Sequence, residues 1–189
     1  MKTLYLAALI FVTCILPAVS LKAQDYVITA KGDSIPCKIT RPLLGNFRYK
    51  SADMADAVKI NPEEIKTFYS AKRKALYRSV VLDSSDPVFM VVVEDGPISL
   101  YQYVYTNYNG TTTTTTTVWY VGKNSDSVVE LKTSGMFLST GKKARKDALG
   151  EMLMDKKEVY DKYIAEDKFS FAQIREIVHL YNTGESLKN

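Results

Sequence analysis

The sequence predicts an α+β fold in which an antiparallel β-sheet or a partly closed β-barrel is followed by C-terminal α-helices. Residues 26–132 contain short runs of β-branched and aromatic residues separated by turn residues, with no helical segment between them. Strands in unbroken series favour antiparallel pairing. From Ser139 onward the apolar residues recur at helical spacing. We therefore expect a β-rich region at 25–138 and a helical region at 139–189 packed on the sheet, together forming one domain.

Residues 1–24 are predicted to be a secretory signal peptide. Lys2 precedes an apolar run, 4–19, that Pro17 interrupts and that is shorter than the roughly 20 residues of a membrane-spanning helix. Small residues that suit a signal peptidase follow at Ala18, Ser20 and Ala23. The alternatives are a retained anchor or lipidation at Cys14. We expect export to the periplasm, the outer membrane or the medium, with no transmembrane segment after cleavage.

The charge of the mature chain is nearly balanced. Residues 25–189 carry 23 Lys and Arg against 21 Asp and Glu, a net charge of +2. The densest basic run, 142–146, is short, whereas nucleic-acid-binding proteins show a longer basic stripe. No nucleic-acid partner is therefore expected.

Cysteine usage excludes an internal disulfide. Cys14 leaves with the signal peptide, so Cys37 has no partner in the mature chain. The only His, His179, is distant in sequence from Cys37. We expect Cys37 to be buried and to behave as a small apolar residue.

The first strands are predicted at Tyr26–Thr29 and at 35–39, joined by a turn containing Gly32-Asp33. Alternation places Ile35, Cys37 and Ile39 on one face. The segments that follow are predicted to be a strand at 47–50, a strand at 57–60, a helical turn at 62–65 with Pro at its first position, and a strand at 67–70.

Longer strands are predicted after Lys74. The segment Val88–Glu94 is almost wholly apolar, so we expect it to be central and buried on both faces. The dipeptide Asp95-Gly96 predicts a tight turn after it. The other strands of this part are predicted at 76–82, 98–106, 117–123 and 127–132.

Three helices are predicted in the C-terminal region. An apolar stripe of Leu149, Met152 and Leu153 marks the first, and 155–158 has the pattern of a capping box for the second. The last helix has the clearest signals. Ser170 is the predicted N-cap, and Gln173 is its capping-box partner. Phe169 and Ile174 occupy the positions of a hydrophobic staple, and the segment 182–184 should end the helix.

Catalytic motifs are absent from the sequence. It has no Gly-rich phosphate loop, no HExxH, no paired-Cys metal spacing and no G-x-S-x-G, so neither a cofactor nor a metal site is predicted. The local carboxylate pairs Glu63 with Glu64 and Asp83 with Asp86 are consistent with a hydrolase. A helix start and a polar turn explain these residues without catalysis, and the pattern favours that interpretation.

An aromatic hairpin is the best candidate for a binding site. Tyr101, Tyr103 and Tyr105 alternate and should project from one face of a strand, and the partner strand carries Trp119 and Tyr120 on opposite faces. Tyrosine offers apolar area with a polar tip, which suits a protein or glycan partner. The alternative is a structural role, because Tyr and Thr are good strand formers. The run of seven Thr from Thr111 is expected to form an exposed, mobile extension of this hairpin.

Three short segments carry a resemblance to a family. Residues 24–29 with Gly32-Asp33-Ser34-Ile35, the middle segment 62–68, and a closing helix that ends in Tyr181-Asn182 resemble a group of uncharacterised exported proteins of Bacteroidota. Cys37 stands where that group usually has Gly. The resemblance implies export but no particular activity. It also implies possible O-glycosylation at Asp-Ser followed by an apolar residue, that is, at Ser34 and Ser127.

Together these observations predict an exported protein that is a non-enzymatic binding or interaction module for an envelope protein or glycan. The alternatives are a carboxylate-dependent hydrolase and a structural component of the envelope.

Overall fold

The computed structural model of the protein describes residues 24–42, 45–82, 86–124, 127–134 and 141–187. The predicted signal peptide, apart from Gln24, lies outside the described residues. The predicted α+β fold is confirmed, because an antiparallel sheet precedes three C-terminal helices. None of the helices in the described ranges is long and apolar enough to cross a bilayer.

The strands follow one another through the first two thirds of the chain. They are β1 (Tyr26–Thr29), β2 (Ser34–Pro36), β3 (Lys38–Thr40), β4 (Arg48–Lys50), β5 (Val58–Lys59), β6 (Ile65–Ser70), β7 (Ala75–Val80), β8 (Val88–Glu94), β9 (Ile98–Tyr108), β10 (Thr113–Lys123) and β11 (Val129–Thr133). The helices are α1 (Lys142–Leu153), α2 (Lys157–Glu166) and α3 (Phe171–Thr183).

Eight strands form one sheet in the order β11-β10-β9-β8-β7-β6-β1-β2, and a second sheet has the order β3-β4-β5. Every pair of neighbouring strands in the described ranges is antiparallel. The large sheet is open rather than closed into a barrel. An isolated parallel bridge between Val81 and Ser127 brings the ends of β7 and β11 together.

The chain passes from the large sheet to the small one at Cys37. The predicted single strand 35–39 is therefore two strands, β2 and β3. The Cys37 N–H donates to the Asp25 carbonyl at 3.1 Å, and the Ile39 N–H donates to the Asp25 carboxylate at 2.7 Å. These bonds to Asp25 replace sheet pairing. Ile35, Cys37 and Ile39 nevertheless pack in one apolar cluster, as their alternation predicts.

The central strand β8 has the predicted bounds, but its burial is less complete than expected. Only Met90 is fully buried, and the remaining side chains are half-buried. Val93 packs on the helix side of the sheet, whereas Val92 packs on the opposite side. The strand thus contacts apolar residues on both faces, but neither face is completely buried.

The main core lies between the helices and β8–β11. Helix α1 packs on β11, and α3 packs on β8 and β9. The predicted stripe of α1 faces this core, with Leu149 and Leu153 fully buried and Met152 partly buried. Helices α1 and α3 therefore cover one face of the sheet, and α2 packs against both of these helices.

The predicted start of α3 is confirmed, and that of α2 is wrong. The Ser170 hydroxyl accepts a hydrogen bond from the Gln173 N–H at 3.1 Å, and Gly184 ends α3 at φ 76°. Helix α2 instead has Lys156 at its N-cap, with no side-chain cap. Asp155 does not cap α2, because its carboxylate pairs with Lys123 at 2.8 Å and accepts the Tyr181 hydroxyl at 2.8 Å.

Candidate functional site

The register of β9 and β10 places the predicted tyrosines on one face of the sheet, opposite the helices. Tyr101 lies across from Tyr120, and Tyr103 lies across from Val118. Tyr105 lies across from Thr116. Side chains alternate along a strand, so Trp119 points to the other face.

Tyr101 is part of the core rather than of a binding surface. Its side chain is 5% exposed. Arg78 donates from Nη1 to the Tyr101 hydroxyl at 3.2 Å, and the same guanidinium forms two 3.0 Å bonds to the Asp95 carboxylate. Tyr101 thus completes a polar cluster that links β7 to β9.

Trp119 is separated from the tyrosines by the sheet itself. It is 9% exposed, lies in the core beneath the helices, and meets the Phe171 ring edge-on with centroids 4.8 Å apart. Tyr103 and Tyr120 are half-buried and pack around Met90 on the tyrosine side. The five predicted binding residues therefore do not form one continuous exposed surface.

The exposed part of this hairpin lies further out. We call residues Tyr105–Tyr108 with Thr113–Thr116 the β9–β10 ribbon. Its four residue pairs extend the hairpin by roughly 14 Å at 3.4 Å per residue. The outermost residue pair between β8 and β9 in the described structure is Val91 with Gln102. Within the described ranges, no third strand pairs with either outer edge of the ribbon.

The ribbon carries exposed apolar area beside hydroxyl groups. Tyr108 is 70% exposed, and Tyr105 is 37% exposed. At the tip, the Asn109 side chain accepts hydrogen bonds from the Thr111 and Thr112 N–H groups at 3.2 and 2.8 Å. These bonds order the tip, and five of the seven Thr residues of the predicted extension, 113–117, belong to the regular strand β10.

Tyr108 is the exposed residue that the sequence analysis missed. The predicted strand ended at Thr106, and Tyr108 lies on the opposite face from Tyr105. The following Asn109-Gly110 dipeptide is the available signal, because such dipeptides mark hairpin tips and would have extended β9 to this point.

The carboxylates considered for a hydrolase are dispersed. Glu63 and Glu64 are exposed in the turn that the Ile65 N–H closes on the Asn61 carbonyl at 2.9 Å, as predicted for a single helical turn. Asp86 is exposed, and Asp83 lies outside the described residues. A general acid needs a raised pKa. Among the described carboxyl groups, every pKa that departs from its ordinary value is lowered by hydrogen bonds or nearby cations, and these groups are Asp53, Asp95, Asp155, Asp167 and Glu176.

His179 belongs to an ionic cluster that fastens α3 to β8. Its Nδ1 lies 3.0 Å from one oxygen of Glu94, and the Arg175 Nε donates to the other oxygen at 2.7 Å. Glu94 is only 11% exposed in this cluster. Across the parts of the chain that the structure describes, no group of three or more His, Cys, Asp and Glu is arranged to hold a metal ion.

The two predicted glycosylation sites are both exposed. Ser34 lies on the edge strand β2 and borders an open groove of about 500 Å³. Stacked Tyr26 and Tyr69 rings line the same groove, with centroids 5.8 Å apart. Ser127 lies at the bridge to Val81.

Comparison with known proteins adds no assignment, since no protein family, curated protein or solved structure matches the chain.

Proposed function

We propose that this protein is an exported, non-enzymatic interaction module that binds a protein partner along the β9–β10 ribbon. The observation that carries the proposal is the extension of this hairpin beyond its neighbouring strands, with Tyr105 and Tyr108 exposed on its two faces. Exposed tyrosines supply contact area at a low entropic cost, because each side chain has only two rotatable angles.

The shape of the ribbon favours a protein over a glycan. Sites for small ligands and sugars are concave and enclose their ligand. The ribbon instead projects, and its outer backbone groups can pair with an incoming strand. A partner strand would gain main-chain hydrogen bonds along one edge, while the tyrosine rings would contact its side chains.

The proposal can be tested by site-specific cross-linking in the source organism. A photoreactive amino acid at position 108 should give a discrete adduct with one envelope protein. The matched control is the same probe at Val58, which is 44% exposed on β5 of the other sheet. Adducts of equal yield at both positions, or none at position 108, would contradict the proposal.

A second variant separates the ribbon from the rest of the fold. Replacing residues 106–115 by Asn-Gly should leave a tight hairpin closed by the Tyr105–Thr116 pair. Because the shortened chain lacks position 108, the photoreactive amino acid is placed at position 105 in both the full-length and the shortened chain. We expect the shortened chain to keep its thermal stability but to lose the adduct that the full-length chain forms through position 105. If the shortened chain still forms the adduct, the partner does not bind along the ribbon.

A further inference from the structure

A groove far from the ribbon is lined by basic residues. It has a volume of about 540 Å³ and lies between β3 and the turn that joins β6 to β7. Its lining consists of Lys38, Ile39, Thr40, Arg41, Phe47, Ser70, Lys72 and Arg73. Four of these eight residues are cationic and none is acidic.

Phe47 holds two of the cations in place. The Arg41 guanidinium lies 5.0 Å from the centre of the Phe47 ring, and the Arg73 guanidinium lies 5.4 Å from it. Both distances are within the range of cation–π attraction. The ring itself packs against Phe68 and Tyr77, with centroids 5.0 Å away from it in each case. The two arginines are thus positioned by an aromatic ring, and in the described structure neither pairs with an acidic residue.

Asp25 joins the two walls of the groove. One carboxylate oxygen accepts from the Ile39 N–H at 2.7 Å, and the other accepts from the Ala71 N–H at 2.6 Å. Ile39 belongs to β3, and Ala71 begins the turn that carries Lys72 and Arg73. Both carboxylate oxygens of Asp25 therefore accept hydrogen bonds from the backbone, one from each wall. These bonds fix the distance between the two walls of the groove.

No ion pair involving Lys38, Arg41, Lys72 or Arg73 occurs among the described residues. The positive charge is also local to this part of the chain. Residues 31–74 contain ten Lys and Arg against five Asp and Glu, a net charge of +5, whereas residues 75–189 have 13 against 15 and a net charge of −2.

We propose that this groove binds a ligand through its phosphate groups. Guanidinium groups match phosphate oxygens in pairs, and lysines add point charges beside them. A phosphate monoester or diphosphate concentrates more than one negative charge in a small volume, which four adjacent cations in one groove can balance. The proposal goes beyond the ribbon and does not depend on it.

Inorganic pyrophosphate is a suitable probe, titrated into the full mature chain by calorimetry at low salt. The test variant is Arg41→Gln with Arg73→Gln, which removes two charges and keeps most of each side-chain stem. The matched control is Lys142→Gln with Lys143→Gln, which removes the same charge from the exposed start of α1. We expect the affinity to fall at least about tenfold in the test variant and to stay within about twofold in the control.

Two further arms identify the class and source of the ligand. Malonate, a dicarboxylate, should bind at least about tenfold more weakly than pyrophosphate if the groove is built for phosphate. Vesicles of phosphatidic acid, a lipid whose headgroup is a phosphate monoester, should sediment the protein, in competition with pyrophosphate, if the phosphate belongs to a lipid headgroup. Failure to sediment would indicate a soluble phosphate ester. Equal pyrophosphate affinity in the test and control variants, or equal affinity for malonate, would overturn the proposal.

Discussion

The Asn182 side chain forms both of its hydrogen bonds with the backbone of Ile98. Its Oδ1 accepts from the Ile98 N–H at 3.0 Å, and its Nδ2 donates to the Ile98 carbonyl at 2.7 Å. Ile98 is fully buried at the start of β9, so no solvent replaces these bonds. The end of α3 therefore pairs with the first residue of β9 as a strand residue would.

Replacing Asn182 by Ala should destabilise the fold by about 2 kcal/mol, because two buried backbone groups lose their partners. Urea unfolding measures the change. Thr183→Ala is the control, since the Thr183 hydroxyl is exposed and bonds only within the end of the chain. Equal losses in the two variants would contradict this account.

Replacing Gly96 by Ala should disturb the same pair of bonds. A Cβ at position 96 would lie 2.6 Å from Cγ of Asn182, so the amide group must move away. The loss of stability should be clearly smaller when Asn182 is already Ala, because the clash is then relieved. A double-mutant cycle measures this coupling. If the losses of stability in the two single variants simply add, the Asn182 side chain is not the reason that position 96 disfavours Ala.

The ionic cluster around Asp95 should make stability depend on pH in the acidic range. The hydrogen bond from Arg78 lowers the pKa of Asp95 below its ordinary value, which is near 3.9 in an unfolded chain. A lowered folded-state pKa stabilises the protein above the unfolded value, and this contribution is lost as the pH falls through the folded value. Arg78→Gln should therefore reduce the loss of stability between pH 5 and pH 2 (about the range in which carboxyls titrate).

Urea midpoints across that range test this prediction. Arg48→Gln is the matched control, because the Arg48 side chain donates to the Ala57 carbonyl and to no carboxylate in the described structure. The control should retain the pH dependence of the unmodified protein. If the urea midpoint changes with pH equally in Arg78→Gln and Arg48→Gln, the pH dependence arises from groups other than Asp95.

Cys37 should resist thiol reagents while the protein is folded. Burial raises the pKa of its thiol to about 11, so little thiolate exists at neutral pH. In a chain that lacks residues 1–24, Cys37 is the only thiol, and its alkylation can be followed by mass. We expect slow reaction at pH 8 (roughly the thiol's ordinary range) and fast reaction in urea; rapid reaction of the folded chain would show that Cys37 is accessible.

Glycosylation of Ser34 and Ser127 remains a prediction with a direct measurement. The intact mass of the mature chain from its source organism should exceed the mass of the bare polypeptide, and Ser34→Ala with Ser127→Ala should remove the excess. Ser99→Ala is a control without the Asp-Ser pattern, since Pro97-Ile98 precede it. A native chain with the bare mass would dismiss the modification.

Local signals in the sequence predicted local structure well. Ser170 and Gly184 bound α3 as expected, because each acts through bonds within a few residues. The bounds of β8 also follow from a continuous apolar run between turn residues. The capping box predicted at 155–158 failed because Asp155 has distant partners, Lys123 and Tyr181, that no local pattern reveals.

The candidate sites depended on contacts that a sequence does not display. Alternation correctly placed Tyr101, Tyr103 and Tyr105 on one face, but it could not show that Arg78 buries Tyr101. The basic groove was not predicted either, since its walls come from segments about 30 residues apart that Asp25 joins. Regular spacing therefore predicts faces, whereas charge clusters formed across the fold require the tertiary structure.

The position of β1 has a consequence for the order in which the protein folds. Strands β7 to β11 pair with their neighbours in sequence, whereas β1 must find β6, and the Asp25 bond to Ala71 spans 46 residues. Closing that long loop costs more entropy than forming the hairpins. We expect the hairpins of β7–β11 to gain amide-exchange protection first during refolding and β1 to gain it later. Simultaneous protection would show instead that the two halves of the sheet assemble in one step.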